Sequence, residues 1–175
     1  MLFRLPPEAL VLLIPTLMFA LSFHEFAHAW MAAKCGDDTA ARMGRLTLNP
    51  LAHLDVMGSL MILFVGFGWA KPVPVNIQNL DSPRTDMMKV AAAGPLSNIL
   101  LALVGGLCLR VLNGMGSLTE IVFVLLVYFT RINIALAIFN LIPIAPLDGS
   151  QIFSGWLMKN NPDLVWKIQT YGPQV

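Results

Sequence analysis

Three long apolar runs organise the chain, at residues 8–33, 85–111 and 118–141. About 20 apolar residues in a helix cross the hydrocarbon core of a bilayer, so each run is long enough to span. Pro6 and Pro7 signal the start of the first run, and Lys34-Cys35-Gly36-Asp37-Asp38 its end. The second opens with Thr85-Asp86, a cap and an early acid, and continues into the small and polar stretch Ala91-Ala92-Ala93-Gly94-Pro95-Leu96-Ser97-Asn98. Small residues there permit close helix approach, and Pro95 predicts a kink. The loop Asn113-Gly114-Met115-Gly116-Ser117 returns the chain to the third run. Residues 36–83 are mixed. Arg45-Leu46-Thr47-Leu48 and Val73-Pro74-Val75-Asn76 predict short strands, the second limited to an edge by its proline. Residues 57–69 are apolar, glycine-bearing and too short to span, which predicts a re-entrant or interfacial segment. The pattern as a whole predicts an all-α polytopic membrane protein, with three transmembrane helices and short β-strands and a re-entrant segment between the first two, in one domain over residues 1–175.

Composition narrows the class. Hydrophobic residues make up 57% of the chain and charged residues 12%, with mean hydropathy +0.71. Soluble domains carry about a quarter charged residues, so this is an integral membrane protein whose first partner is the lipid bilayer. A net charge of +1, with no basic tail or aromatic–basic interleaving, excludes nucleic acid. Cys35 and Cys108 fall near opposite ends of successive spans and are expected as free thiols. The first run resembles a signal peptide only superficially, because Ala20, Ala27, Ala29, Ala32 and Ala33 suit close helix packing. Lys34, Arg42, Arg45, Lys71, Arg84, Lys89, Lys159 and Lys167 fall on one predicted side, and Arg4 and Arg110 on the other. By the positive-inside rule the first side is cytoplasmic, in the cell membrane. Arg131 falls inside the third span, where it must snorkel, face a cavity or pair with an acid.

The chemistry sits in His24-Glu25-Phe26-Ala27-His28. A helix turns about 100° per residue, so His24 and His28 share one face, with Glu25 beside them. Two imidazoles so placed can chelate one zinc ion, and the carboxylate can take a proton from the attacking water of a hydrolase. Burying these groups at membrane depth costs several kcal/mol, which favours a function over a pair of satisfied core histidines. After the third span, Pro143 and Pro146 break the helix just before Asp148-Gly149. An acid held by a rigid loop at that depth calls for a cation. The third span returns to the side where the first ends, so Asp148 can approach His24 and His28 and leave a fourth position open for water.

These residues resemble the site-2 protease family of intramembrane zinc metalloproteases, in its compact branch without PDZ or CBS modules. The match is carried by His24-Glu25-Phe26-Ala27-His28, by Ala93-Gly94-Pro95-Leu96-Ser97-Asn98, and by Asn140 through Pro146-Leu147-Asp148-Gly149. The resemblance implies a three-helix catalytic core holding one zinc per chain on His24, His28 and Asp148, with Glu25 as catalytic base. It also implies substrates that are themselves membrane-spanning helices. Asn140 and Asn98 are candidates to hold the substrate backbone or the developing oxyanion, since amides donate hydrogen bonds without adding charge. His53 is read as an anchor for the backbone, a substrate or proton-relay residue, or a ligand. Members of this branch usually carry a further span, so a truncated C-terminus is one expectation. The alternatives are a zinc transporter, which needs no base beside its ligand, and a prenyl-protein-processing type of protease, which the Leu147-Asp148-Gly149 loop disfavours.

Overall fold

A computed structural model describes residues 6–65 and 68–160. The expectations placed on Arg4, Lys167 and the C-terminal Tyr171-Gly172-Pro173-Gln174-Val175 lie outside the described residues. The element order is α1 (Pro7–Lys34), α2 (Thr39–Arg42), α3 (Val56–Val65), α4 (Pro83–Gly114), α5 (Glu120–Asn140) and α6 (Asp148–Asn160), with 3-10 turns at Pro50–Ala52 and Ile77–Asn79. Helices α1, α4 and α5 are long and apolar enough to cross a membrane.

Each long helix ends where local chemistry stops it. Pro7 occupies the first turn of α1, where its missing N–H leaves nothing unsatisfied. At the other end Gly36 adopts φ +99°, and the Gly36 and Asp37 N–H groups donate to Ala33 and Ala32, closing the last turn. Helix α4 begins two residues before the expected Thr85. Ser82 is its N-cap residue, and the Asp86 carboxylate reaches back to accept from the Ser82 N–H at 2.7 Å.

Helix α4 lies at the centre, packed against α1, α5 and α6. The interfaces are built from small residues: Ala20, Ala27, Ala29 and Ala32 of α1, and Ala91, Ala93, Ala102 and Gly105 of α4, are all buried. At Gly105 an added Cβ would meet the Thr130 hydroxyl and the Phe129 ring, so these α5 side chains pack against α4 where it carries glycine. The opposite stripe of α4, at Leu96, Leu100, Leu103 and Leu107, is exposed, as a face turned to lipid would be.

The segment between α1 and α4 differs from expectation. Among the described residues it forms no strand; a single antiparallel bridge joins Leu54 and Ala70. Arg45-Leu46-Thr47-Leu48 and Val73-Pro74-Val75-Asn76 are irregular. Pro72 and Pro74 remove alternate donors from one edge, which prevents a ladder there. The buried Arg45 side chain instead donates through Nη2 to the carbonyls of Lys71 and Pro72, the latter at 3.2 Å. Within the apolar stretch 57–69, Val56–Val65 is a helix of 10 residues, about half the length that would span.

Candidate metal centre

His24 and His28 stand one turn apart on α1, both buried, with their rings edge-on at 83° and their Nε2 atoms 3.0 Å apart. Asp148 opens α6. After α5 ends, the turn through Pro143 and Pro146 is held by Leu147 N–H to Ile144 O at 2.9 Å and Ser150 N–H to Leu147 O at 3.0 Å. Gly149 is required at this point, because a Cβ there would run into the carbonyl oxygens of Leu141 and Ile142. The turn delivers Asp148 Oδ2 to 3.2 Å from His24 Nε2 and 3.3 Å from His28 Nε2.

The outward-facing nitrogens settle the chemistry of this triangle. His28 Nδ1 lies 2.7 Å from the Val90 carbonyl, which can only accept, so Nδ1 carries the proton and Nε2 a lone pair. His24 Nδ1 lies 2.6 Å from Asn98 Oδ1, which makes His24 the donor there as well. Asp148 Oδ2 is buried and has no hydrogen-bond partner. In the neutral imidazoles, three lone-pair atoms therefore converge on one point. Tetrahedral zinc with bonds of about 2.0–2.1 Å spaces its ligand atoms about 3.3–3.4 Å apart, close to this triangle, so His24, His28 and Asp148 fit a zinc ion.

The triangle opens into a cavity of about 760 Å³. Glu25, half-buried, lines it beside the two histidines, as does Asn140 at the end of α5. One Asn140 N–H donates to Leu136 O at 3.0 Å. A further wall is the irregular segment that includes Trp69, Val73 and Val75.

Two candidates lie elsewhere. Asn98 is fully buried behind His24, with Oδ1 on the imidazole and Nδ2 on Asn133 Oδ1 at 2.8 Å. Its place is against the histidine, away from the cavity lining. His53 also lies off the cavity lining: Nε2 donates to Thr47 O at 2.8 Å, and its carbonyl accepts from Lys71 N–H at 2.8 Å. That geometry is a backbone anchor's. Arg131 is exposed on α5, about 200° around the helix from the buried Asn133, so it does not face the cavity. Sequence reasoning missed Asn133, which falls in no motif; a lone polar residue in an apolar span was the available signal. It also left out the Val90 carbonyl.

Comparison with known proteins gives the family. The chain is 40% identical over 172 residues, 95% of its length and 78% of the relative's, to a Bacillus subtilis protein named "Putative zinc metalloprotease YwhC". The chain belongs to peptidase family M50, the site-2 protease family of zinc metalloproteases. Its residues 116–165 match that family directly, a stretch that includes Asn140 and Asp148. Relatives with the same printed description are Rip2 of Mycolicibacterium smegmatis, 31% identical over 79% of this chain and 54% of that one, and MJ0611 of Methanocaldococcus jannaschii, 30% identical over 83% and 68%. No solved structure matches the chain. Family members act as intramembrane proteases, and the three apolar helices agree with a multi-pass membrane protein.

Proposed function

We infer that this protein hydrolyses peptide bonds within or beside the transmembrane helices of other membrane proteins, using one zinc ion per chain on His24, His28 and Asp148. The observation that supports this reading is the convergence of two imidazole lone pairs and an unpartnered carboxylate oxygen, 3.0–3.3 Å apart, at the end of a cavity that Glu25 also lines. Zinc, when bound, lowers the pKa of water toward about 7 and polarises a carbonyl oxygen. Glu25 takes the proton of the attacking water and later returns it to the leaving amine. Asn140 offers its remaining N–H to the substrate backbone or the developing oxyanion. The irregular segment of Trp69, Val73 and Val75 forms the wall along which an unwound peptide lies. Because a helix hides its peptide bonds, substrates carrying glycine or proline near the cut are cleaved faster.

The site lies at the bundle end that carries Lys34, Arg84 and Lys89, which supports a cytoplasmic-facing active site in the cell membrane. The short apolar α3 suits a re-entrant or interfacial position. Zinc per chain, by elemental analysis of detergent-purified protein, tests the reading first. The unaltered protein and Glu25→Gln hold close to one zinc, and Asp148→Ala loses it; on a reconstituted membrane-helix substrate Glu25→Gln is slowed by about 10²–10⁴-fold. Full zinc in Asp148→Ala would remove the ligand set, and undiminished turnover by Glu25→Gln would remove the base.

A further inference from the structure

Behind the metal centre, three side chains on three helices form one directed line of hydrogen bonds. It begins at a backbone carbonyl. Asn133 Nδ2 on α5 donates to Phe129 O at 2.8 Å; Asn98 Nδ2 on α4 donates to Asn133 Oδ1 at 2.8 Å; and Asn98 Oδ1 meets His24 Nδ1 on α1 at 2.6 Å. Asn98 and Asn133 are both fully buried, so water does not compete for either amide.

The direction of this line is not arbitrary. A carbonyl oxygen can only accept, so the Asn133 amide must turn its NH₂ toward Phe129 and its oxygen toward Asn98. That oxygen can only accept, so Asn98 must present its NH₂ to Asn133 and its own oxygen to His24. An oxygen facing His24 Nδ1 places the imidazole proton on Nδ1 and leaves Nε2 bare. An Asn98 amide turned the other way would donate to His24 Nδ1, put the proton on Nε2 and block the nitrogen that points at Asp148.

The structure assigns Asn133 as a positioning residue: its polarity, set by the Phe129 carbonyl, is passed through Asn98 to hold His24 in the tautomer that can ligate metal. His28 is held in the same tautomer by a different device, the Val90 carbonyl directly. His53 is held in the opposite one, since its Nε2 donates to Thr47 O. The chain's three histidines therefore supply their own internal comparison.

This inference rests on the proposed metal site but is tested apart from it. In metal-stripped full-length protein labelled with ¹⁵N-histidine, nuclear magnetic resonance distinguishes protonated from bare ring nitrogens, and single histidine substitutions identify the signals. The expected result is a proton on Nδ1 of His24 and His28 and on Nε2 of His53; a bare Nδ1 on His24 would overturn the assignment whether or not the protein binds zinc. Asn133→Leu leaves only the long contact of Asn98 Nδ2 to Ala20 O, at 3.5 Å, to orient the Asn98 amide, so His24 shows both tautomers and zinc affinity, measured by competition with a chelator, falls about 10–100-fold, as for other partners of metal ligands. Adding Asn98→Asp to Asn133→Leu places an oxygen against His24 in either orientation and returns affinity to within about threefold of the unaltered protein. Unchanged affinity in Asn133→Leu, or no recovery in the double variant, would show that Asn133 only fills space. Should Asn133→Leu fail to fold, Asn133→Ala asks the same question with a smaller side chain, and unchanged zinc affinity there overturns the assignment equally.

Discussion

Gly94 of α4 presses directly on the two histidines of α1: a Cβ built at Gly94 would come within 2.6 Å of His24 Nε2 and closer still to His28 Nε2. The glycine leaves open the space toward which both lone pairs point. Alanine is the better helix former by about 1 kcal/mol, so the substitution sets helix propensity against the site. Gly94→Ala is expected to lower zinc affinity more than tenfold, while Gly106→Ala, where a Cβ meets nothing within 4 Å, leaves it unchanged. Chelator competition on the two variants checks this, and equal affinities would place the metal elsewhere.

Arg45 connects the segment before α3 to the cavity wall through the carbonyls of Lys71 and Pro72. Hydrogen bonds from a charged group contribute about 1.5–3 kcal/mol each, and the carbonyls would be left without this partner. Arg45→Leu is expected to lower kcat/KM at least tenfold with zinc content unchanged. A loss of zinc in parallel would show that the wall supports the metal rather than the substrate.

Asp37 ties the end of α1 to the loop before α4. Its carboxylate is fully buried and accepts from Thr39 N–H at 3.1 Å, Asn76 N–H at 2.7 Å and Asn79 Nδ2 at 3.0 Å. Burial pushes this carboxyl up, but the donors of Thr39, Asn79 and Asn76 outweigh it and hold it below the usual range. A carboxyl whose folded pKa lies below its unfolded value of about 3.9 stabilises the fold above that value, and the contribution is lost as pH falls through the folded pKa. Thermal melts in detergent are expected to fall less steeply below pH 4 for Asp37→Asn than for the unaltered protein. Asp37→Ala is expected to cost about 2–3 kcal/mol at pH 7.

Cys35 and Cys108 are both free, as their separation along the spans implied. Cys35 is buried at the end of α1, and burial pushes its thiol up, so little reactive thiolate forms near neutral pH. In a Cys108→Ser background, maleimide is expected to label Cys35 at least tenfold more slowly in folded than in denatured protein. Equal rates would mean that this helix end opens freely.

Some features were fully determined by local chain geometry. The apolar runs had to span, and the i, i+4 spacing had to place His24 and His28 together, because both follow from the rise and turn of one helix. Pro143, Pro146 and Gly149 likewise announced a break that could turn Asp148 inward. Other features depended on how helices rotate and pack against one another, which no single stretch encodes. Only the tertiary structure showed that Asn98 stands behind His24 rather than in the cavity, that Asn133 completes the line to it, and that Gly94 clears the space in front. Only it showed that Arg45 and two prolines replace the expected strand pairing with side-chain ties. Periodicity along a chain reports which face a residue occupies; the partner it meets there is chosen by the neighbouring helix.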